Sequence, residues 1–362
     1  MKRQEVIFLS TGAIGDMVIA SALHAPFYER DISMGIVSAE FTRGLWQHFG
    51  NTITYAYGKD KVLPEFPTDA VVVDIRNYLR HLPHSQNLPQ WLTKQEEKRK
   101  GHLCEWMAYE AATACPGIER ILKETFKVTR DDVQIILTEE EIEEGKARIN
   151  EIRKESNNKL VTILAPYSNT ENRNMGMRQL EEVVVGLQDT TTVCQLEPFQ
   201  PADYVVGTKP VGDRDLRKVA ALLLAADAYI GVDSGPLHII NGAIQGTGWY
   251  SHKLDGKRDP AKVFVVLGSS HPDVVAYEGN TIITALTSHA VCPVAPCGAH
   301  GYVAPEEYGK YFGEIFHPSR KEGDKSGCIY QEHDFPNTAP CMSAVSSEQI
   351  VEAVQAYLRD RK

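Results

Sequence analysis

The stretch VIFLSTGAIGD, from Val6 to Asp16, decides how the rest of the chain is read. A short apolar run, Val6–Ser10, gives way to Thr11-Gly12-Ala13-Ile14-Gly15-Asp16. Met17–Arg30 follows, with Val18, Ile19, Ala22 and Leu23 on one helical face. An apolar strand, a glycine-bearing turn and an amphipathic helix in that order open a parallel α/β unit.

Working outward, Met34–Ser38 and Thr52–Tyr57 read as strands, and Ala70–Ile75 is a continuous apolar run suited to a strand covered on both faces. His102–Phe126 reads as helix broken near Pro116-Gly117. Thr138 and Glu141 form a capping box that opens a charged helix reaching about Asn157. After Asn157-Asn158 the pattern restarts. Strands are expected at Leu160–Ala165, Thr191–Leu196, Tyr204–Gly207, Ala228–Val232 and Val263–Gly268. Helices are expected at Gly176–Leu187, Asp213–Ala226, from Asp233-Ser234-Gly235 to about Gln245, and at Ser346–Arg361.

Two strand–helix series imply an α/β protein of two Rossmann-like, doubly wound domains facing a cleft, which is where open parallel sheets take ligands. The expected division is 1–157 for the first domain and 158–345 for the second, with a cysteine-bearing segment at 290–342. The terminal helix, 346–362, is left free to cross back to the first domain.

Composition narrows the function classes. The 362 residues carry a net charge of -10, with 43% hydrophobic and 24% charged residues, values that exclude wholesale disorder. The acidic balance disfavours a nucleic-acid or anionic-membrane coat. No apolar run reaches the ~18–20 residues of a membrane span, and Met1–Glu5 lacks the pattern of a secretory signal. A cytoplasmic location is expected. The seven cysteines are odd in number and do not read as a disulfide framework.

Three strand ends carry chemistry. In the first, Gly12 and Gly15 permit a sharp turn and close approach of a ligand, with Asp16 at the mouth of the cleft. The spacing is G-x-x-G, which misses the dinucleotide fingerprint, and no Gly-Lys-Ser/Thr follows to make a P-loop. The same residues also fit plain helix capping. In the second, Asp233-Ser234-Gly235-Pro236-Leu237-His238 places proline where a helix has no use for its N–H. Ser234 and Gly235 then offer N–H groups at a positive helix end suited to a diphosphate, and His238 sits on the first turn. In the third, the polar loop Tyr167–Asn174 offers Arg173, with Arg178 in reserve, to neutralise a phosphate. Arg76, Arg80 and the basic run Lys94–Lys100 read as an acceptor surface or a solvated face.

Cys292, Cys297, Cys328 and Cys341 crowd the last fifth of the chain, with proline beside Cys292, Cys297 and Cys341. Two loop pairs of thiolates suit a tetrahedral metal, and His300, His317 and His333 are substitute ligands. Reduced buried cysteines or incidental disulfides are the alternative reading.

Taken together, the residues from Leu9 to Val18, the run ADAYIGVDSGPLHIINGAI, and the later Gly268-Ser269-Ser270 and Pro340-Cys341-Met342 segments resemble glycosyltransferase family 9, the ADP-heptose:lipopolysaccharide heptosyltransferase-like enzymes. Pro236 and Asn241 depart from that pattern. The resemblance implies a GT-B fold and an inverting transfer of a heptose or hexose-type sugar from a nucleotide-diphospho-sugar to an acceptor hydroxyl. It implies Asp16 as general base, Gly15, Arg173, Asp233, Ser234, Gly235 and His238 around the donor, and no divalent cation in catalysis. The cysteine cluster is similar to that of autotransporter heptosyltransferases, which implies structural zinc or iron. The implied acceptor is a saccharide, glycolipid or protein, with nucleic acid disfavoured and an oligomer allowed. The alternative is a non-catalytic nucleotide-sugar-binding or scaffold protein on a degenerate GT-B fold.

Overall fold

The computed structural model describes residues 5–10, 13–57, 63–76, 101–157, 159–168, 173–197, 203–247, 259–285 and 339–361. They build two parallel sheets. The first holds β1 (Val6–Leu9), β2 (Met34–Ala39), β3 (Thr52–Tyr57) and β4 (Val71–Asp74) in the order β3-β2-β1-β4. The second holds β5 (Leu160–Ala165), β6 (Thr191–Leu196), β7 (Lys209–Val211), β8 (Ala228–Gly231), β9 (Val263–Leu267) and β10 (Thr281–Thr284) in the order β10-β9-β8-β5-β6-β7.

Each sheet grows outward from its first strand and then jumps to the other side. In the first sheet the jump falls between β1 and β4, and in the second between β5 and β8. A parallel sheet opens a crevice at the carboxyl end of such a switch. The loops after β1, β5 and β8 therefore stand at crevices, and all three are the loops that the sequence marked.

β1, β8 and β9 are apolar because they are buried throughout, whereas β4, expected to be covered on both faces, leaves Val72 44% exposed and so has one face partly open. Val6 and Phe8 join the large core that continues into the second sheet through Val161 and Ile163, while Ile7, Leu9 and Val37 form a small cluster on the opposite face. The segment after Phe126 is wedged between the halves. Ile135 N–H donates to the Gly242 carbonyl at 2.8 Å, and Gln134 N–H donates to Ser21 Oγ at 2.8 Å. Gly246 makes this passage possible, since a Cβ there would lie 2.0 Å from the Ile135 carbonyl oxygen.

Arg217 ties the halves together. It is buried, donates from Nε and Nη2 to the two Glu141 carboxylate oxygens at 2.6 Å each, and reaches the carbonyls of Ile136 at 2.7 Å and Gly44 at 3.3 Å. The arginine pair and the Thr138 cap hold the Glu141 carboxyl below its ordinary value against the opposing pull of burial.

Local details depart from the sequence reading in two places. Tyr204–Gly207 is a turn and not a strand, because Gln195 accepts the Val205 N–H at 2.8 Å and donates to the Asp203 carbonyl at 2.8 Å. The strand forms instead at Lys209–Val211. The terminal helix, Ser347–Arg359, seats its Ile350, Val354 and Leu358 in the core of the second sheet, and Gln355 donates to the Gly186 carbonyl of the Met177–Leu187 helix. The capping box at Thr138 and Glu141 forms as expected, opening the helix Glu139–Glu155. That helix packs closely on the Leu216–Ala225 helix of the second sheet, with Gly145 facing Ala221.

Candidate active site

The Ile14–Ile19 helix follows β1 and the Gly235–Gly246 helix follows β8. Their first turns touch. A Cβ on Gly15 would fall 3.1 Å from His238 Cδ2 and 3.7 Å from Gly235 Cα, and a Cβ on Gly235 would fall 3.1 Å from Ile14 Cγ2. Glycine at both positions leaves room for the Ile14 and His238 side chains where the two helix starts meet. Asp16, the third residue of the first helix, is half-buried at this junction.

A helix start carries a partial positive charge, and the twelve-residue Gly235–Gly246 helix is the longer of the two. Pro236 occupies the first turn of the second helix. The Ser234 hydroxyl bonds back to the Val232 carbonyl at 3.2 Å, so it supplies no side-chain cap. No side-chain cap therefore covers the N–H groups of that first turn.

Asp233 is the hub behind that turn. It is 3% exposed, accepts from Ser270 Oγ at 2.5 Å, and pairs with Arg173 Nη1 at 3.1 Å. Arg173 Nη1 also donates to the Asp233 carbonyl at 3.0 Å. His238 Nε2 lies 3.9 Å from Asp233 Oδ1 on the other side. A buried carboxylate is tolerable only when so surrounded.

Behind His238 stands a layer of buried rings. His238 Nδ1 is 2.9 Å from Tyr277 Oη. The Tyr277 ring lies 4.7 Å from that of His102, which caps the Leu103–Ala114 helix through Nδ1. Burial, together with the nearby His238 and Arg130, holds His102 well below the ordinary histidine value.

The structure thus brings Gly15 to His238 and Gly235, and Arg173 and His238 to Asp233, with Asp16 and Ser234 the chain neighbours of residues in these contacts. Arg178 does not join them. Its side chain is 92% exposed and pairs with Glu182 at 3.0 Å, one helical turn away on the outer face. Arg76 is exposed and pairs with Asp74 at 2.6 Å. Arg80, the Lys94–Lys100 run, Cys292, Cys297, Cys328, His300, His317 and His333 lie outside the described residues. Cys341 is buried on the short Pro340–Ser343 helix and sits against Gly268 at the end of β9.

Sequence reasoning gave no role to Ser270, Tyr277 and His102. Ser270 had a signal, since it follows β9 in the quoted Gly268-Ser269-Ser270 segment. Tyr277 and His102 had none, because they reach the site through tertiary packing from loops far along the chain.

No family model matches the chain, and no curated protein matches it in sequence. Solved structures do. ADP-heptose lipopolysaccharide heptosyltransferase II of E. coli superposes with a TM-score of 0.51 at 11% identity, covering 99% of both chains. The iron-containing dodecameric glycosyltransferase TibC of enterotoxigenic E. coli gives 0.55 at 12% identity, covering 99% of this chain and 77% of that one. TibC in complex with ADP-D-β-D-heptose gives 0.52 at 13% identity over the same shares. These likenesses establish the fold, GT-B, with its two parallel sheets.

Proposed function

We propose that this protein is an inverting glycosyltransferase that moves a sugar from a nucleotide-diphospho-sugar to an acceptor hydroxyl. The observation that supports this reading is the contact between the first turns of the Ile14–Ile19 and Gly235–Gly246 helices, which brings the turn that carries Asp16 against a helix end suited to a diphosphate. A general base and an anion site at one junction are the two parts that an inverting transfer needs.

In the proposed reaction the acceptor approaches from the first domain, 1–157, and the donor lies on the second, 158–345. Asp16 takes the proton of the acceptor hydroxyl as its oxygen attacks the anomeric carbon. The new C–O bond forms as the bond to the diphosphate breaks, and the electron pair leaves on the nucleoside diphosphate. General-base help of this kind contributes roughly 10²–10⁴-fold. The Gly235 helix end and Arg173 meet the negative charge that develops on the leaving group, a role that a divalent ion fills in other enzymes. Asp233, fixed by Arg173 and Ser270, is placed to hold the donor sugar.

The solved neighbours support an ADP-linked heptose as the first donor to try. A saccharide, glycolipid or protein acceptor follows from the same reading, as does a cytoplasmic site of action, where activated sugars are made. Among the described residues, no helix is long and apolar enough to cross a membrane.

We further propose that Cys292, Cys297, Cys328 and Cys341 hold a structural zinc or iron. The burial of Cys341 against the end of β9 supports it, since a thiolate there is shielded and close to the second sheet. Four thiolates fill a tetrahedral shell and leave no open position for chemistry. Iron and an oligomer are both named for TibC, which supports testing for each.

The deciding experiment is a thermal-shift and turnover screen against nucleotide sugars. A ligand at 100 times its dissociation constant stabilises by about 2.7 kcal/mol. Stabilisation by an ADP-sugar followed by release of ADP is expected. Stabilisation without release or transfer, with any acceptor, supports a binding or scaffold protein. No response to any nucleotide or nucleotide sugar would overturn both.

A further inference from the structure

His238 has two nitrogens with different neighbours. Nδ1 faces the Tyr277 hydroxyl at 2.9 Å, in the buried ring layer. Nε2 faces Asp233 Oδ1 at 3.9 Å, and a Cβ on Gly15 would lie 3.8 Å from it. The Cδ2–Nε2 edge of the ring, and not Nδ1, is the one that faces Gly15 at the contact between the two helix starts.

We propose that Tyr277 is a positioning residue: its hydroxyl donates to His238 Nδ1, which places the ring's single proton on Nε2 and presents it to the donor. This deepens the proposed sugar transfer, because it names a group outside the marked loops that prepares one of the donor's contacts.

Three observations set the direction of that hydrogen bond. The neighbour of Nε2 is a carboxylate, which pairs with an N–H and repels a lone pair. The only nearby acceptor described for the Tyr277 hydroxyl is Nδ1. Burial also pushes the Tyr277 hydroxyl well above its ordinary value, so it keeps the proton that it donates. A neutral imidazole holds one proton, and the partner of one nitrogen selects the tautomer at the other.

The ring layer keeps Tyr277 in place from behind. Its ring is 5.9 Å from His238 and 4.7 Å from His102, and its backbone N–H donates to Asn280 Oδ1 at 3.1 Å. Asn280 in turn donates to Asn241 Oδ1 at 2.8 Å, one turn beyond His238 on the same helix. The tyrosine is thus tied to the helix that it serves at two points. An N–H on Nε2, held toward the junction, suits a sugar hydroxyl or a diphosphate oxygen of the donor.

The test uses the full chain labelled with ¹⁵N in histidine. In the wild type at neutral pH, the His238 spectrum is expected to show a protonated Nε2 and a hydrogen-bonded, unprotonated Nδ1. A proton on Nδ1 alone, or on both nitrogens, would overturn the proposal without any variant. Tyr277→Phe removes one oxygen and keeps the ring. The Nδ1 resonance is then expected to move toward that of a free, unbonded nitrogen, and kcat to fall about tenfold with KM within twofold. An unchanged Nδ1 resonance in Tyr277→Phe overturns the assignment. If no nucleotide sugar is turned over by the wild type, the sugar-transfer reading fails, while the spectra still decide the hydrogen bond.

Discussion

Arg173 grips Asp233 twice, by its carbonyl at 3.0 Å and by its carboxylate at 3.1 Å. The arginine comes from the loop after β5 and the aspartate from the end of β8, the two strands that flank the switch point. One pair therefore closes the back of the crevice and leaves the arginine 15% exposed at its edge.

Removing one partner of a buried pair leaves a charge without compensation. Arg173→Ala is expected to cost about 3 kcal/mol in urea unfolding. Adding Asp233→Asn should return most of that loss, because the two residues share one interaction. Additive losses in the double variant would show that the pair is not coupled.

Asp16→Asn keeps the shape of the side chain and removes its basicity. Sugar transfer is expected to fall by about 10²–10⁴-fold, with donor affinity within threefold of wild type. Survival of transfer near the wild-type rate would remove Asp16 from the role of base.

Gly246→Ala tests the seam between the halves. The added carbon would lie 2.0 Å from the Ile135 carbonyl oxygen, and backbone cannot step aside as a side-chain tip can. A loss of about 3 kcal/mol or more is expected from denaturant titration, despite the better helix propensity of alanine. A neutral effect would mean that the wedge segment moves freely.

Acid should weaken the fold before it touches the carboxylates. Burial holds His24 below its ordinary value of 6.5, against the pull of the Gly50 carbonyl that it bonds, and holds His102 further below. A lowered folded value means that the unfolded chain binds the extra protons. Stability is then full above 6.5 and declines as pH falls below it, by up to about 2.7 kcal/mol per pH unit for two groups. Urea midpoints at pH 7.5 and 5.5 measure the decline. His24→Gln keeps a donor for Gly50 and is expected to remove its share of the slope.

Elemental analysis of the purified chain is expected to give near one zinc or iron per protein. Cys341→Ser should lower that content and the melting temperature together. A protein free of both metals would discard the cluster.

Much of this molecule follows from local pattern. The apolar runs at Val6, Leu160, Ala228 and Val263 become parallel strands because each is short and almost wholly buried, and the run at Ala70 pairs beside β1 although its Val72 stays exposed. The turns at Gly15 and Gly235 are legible because only certain residues suit a strand that must stop at the head of a helix. Other features are silent in one dimension. Gln195 diverting Val205 into a turn depends on a side chain ten positions away, and nothing in the Tyr204–Gly207 run announces it. Tyr277 meets His238 only because β8 and β9 are neighbours in the second sheet. The sequence determined two doubly wound halves, the carboxylate of the first and the helix start of the second. Tertiary structure alone decided that the first turns of the Ile14–Ile19 and Gly235–Gly246 helices touch, that Arg173 reaches Asp233 and Arg178 does not, and which ring stands behind His238. Strand and helix arise from contacts a few residues apart, whereas the site is made of groups that the chain must cross the whole core to bring together.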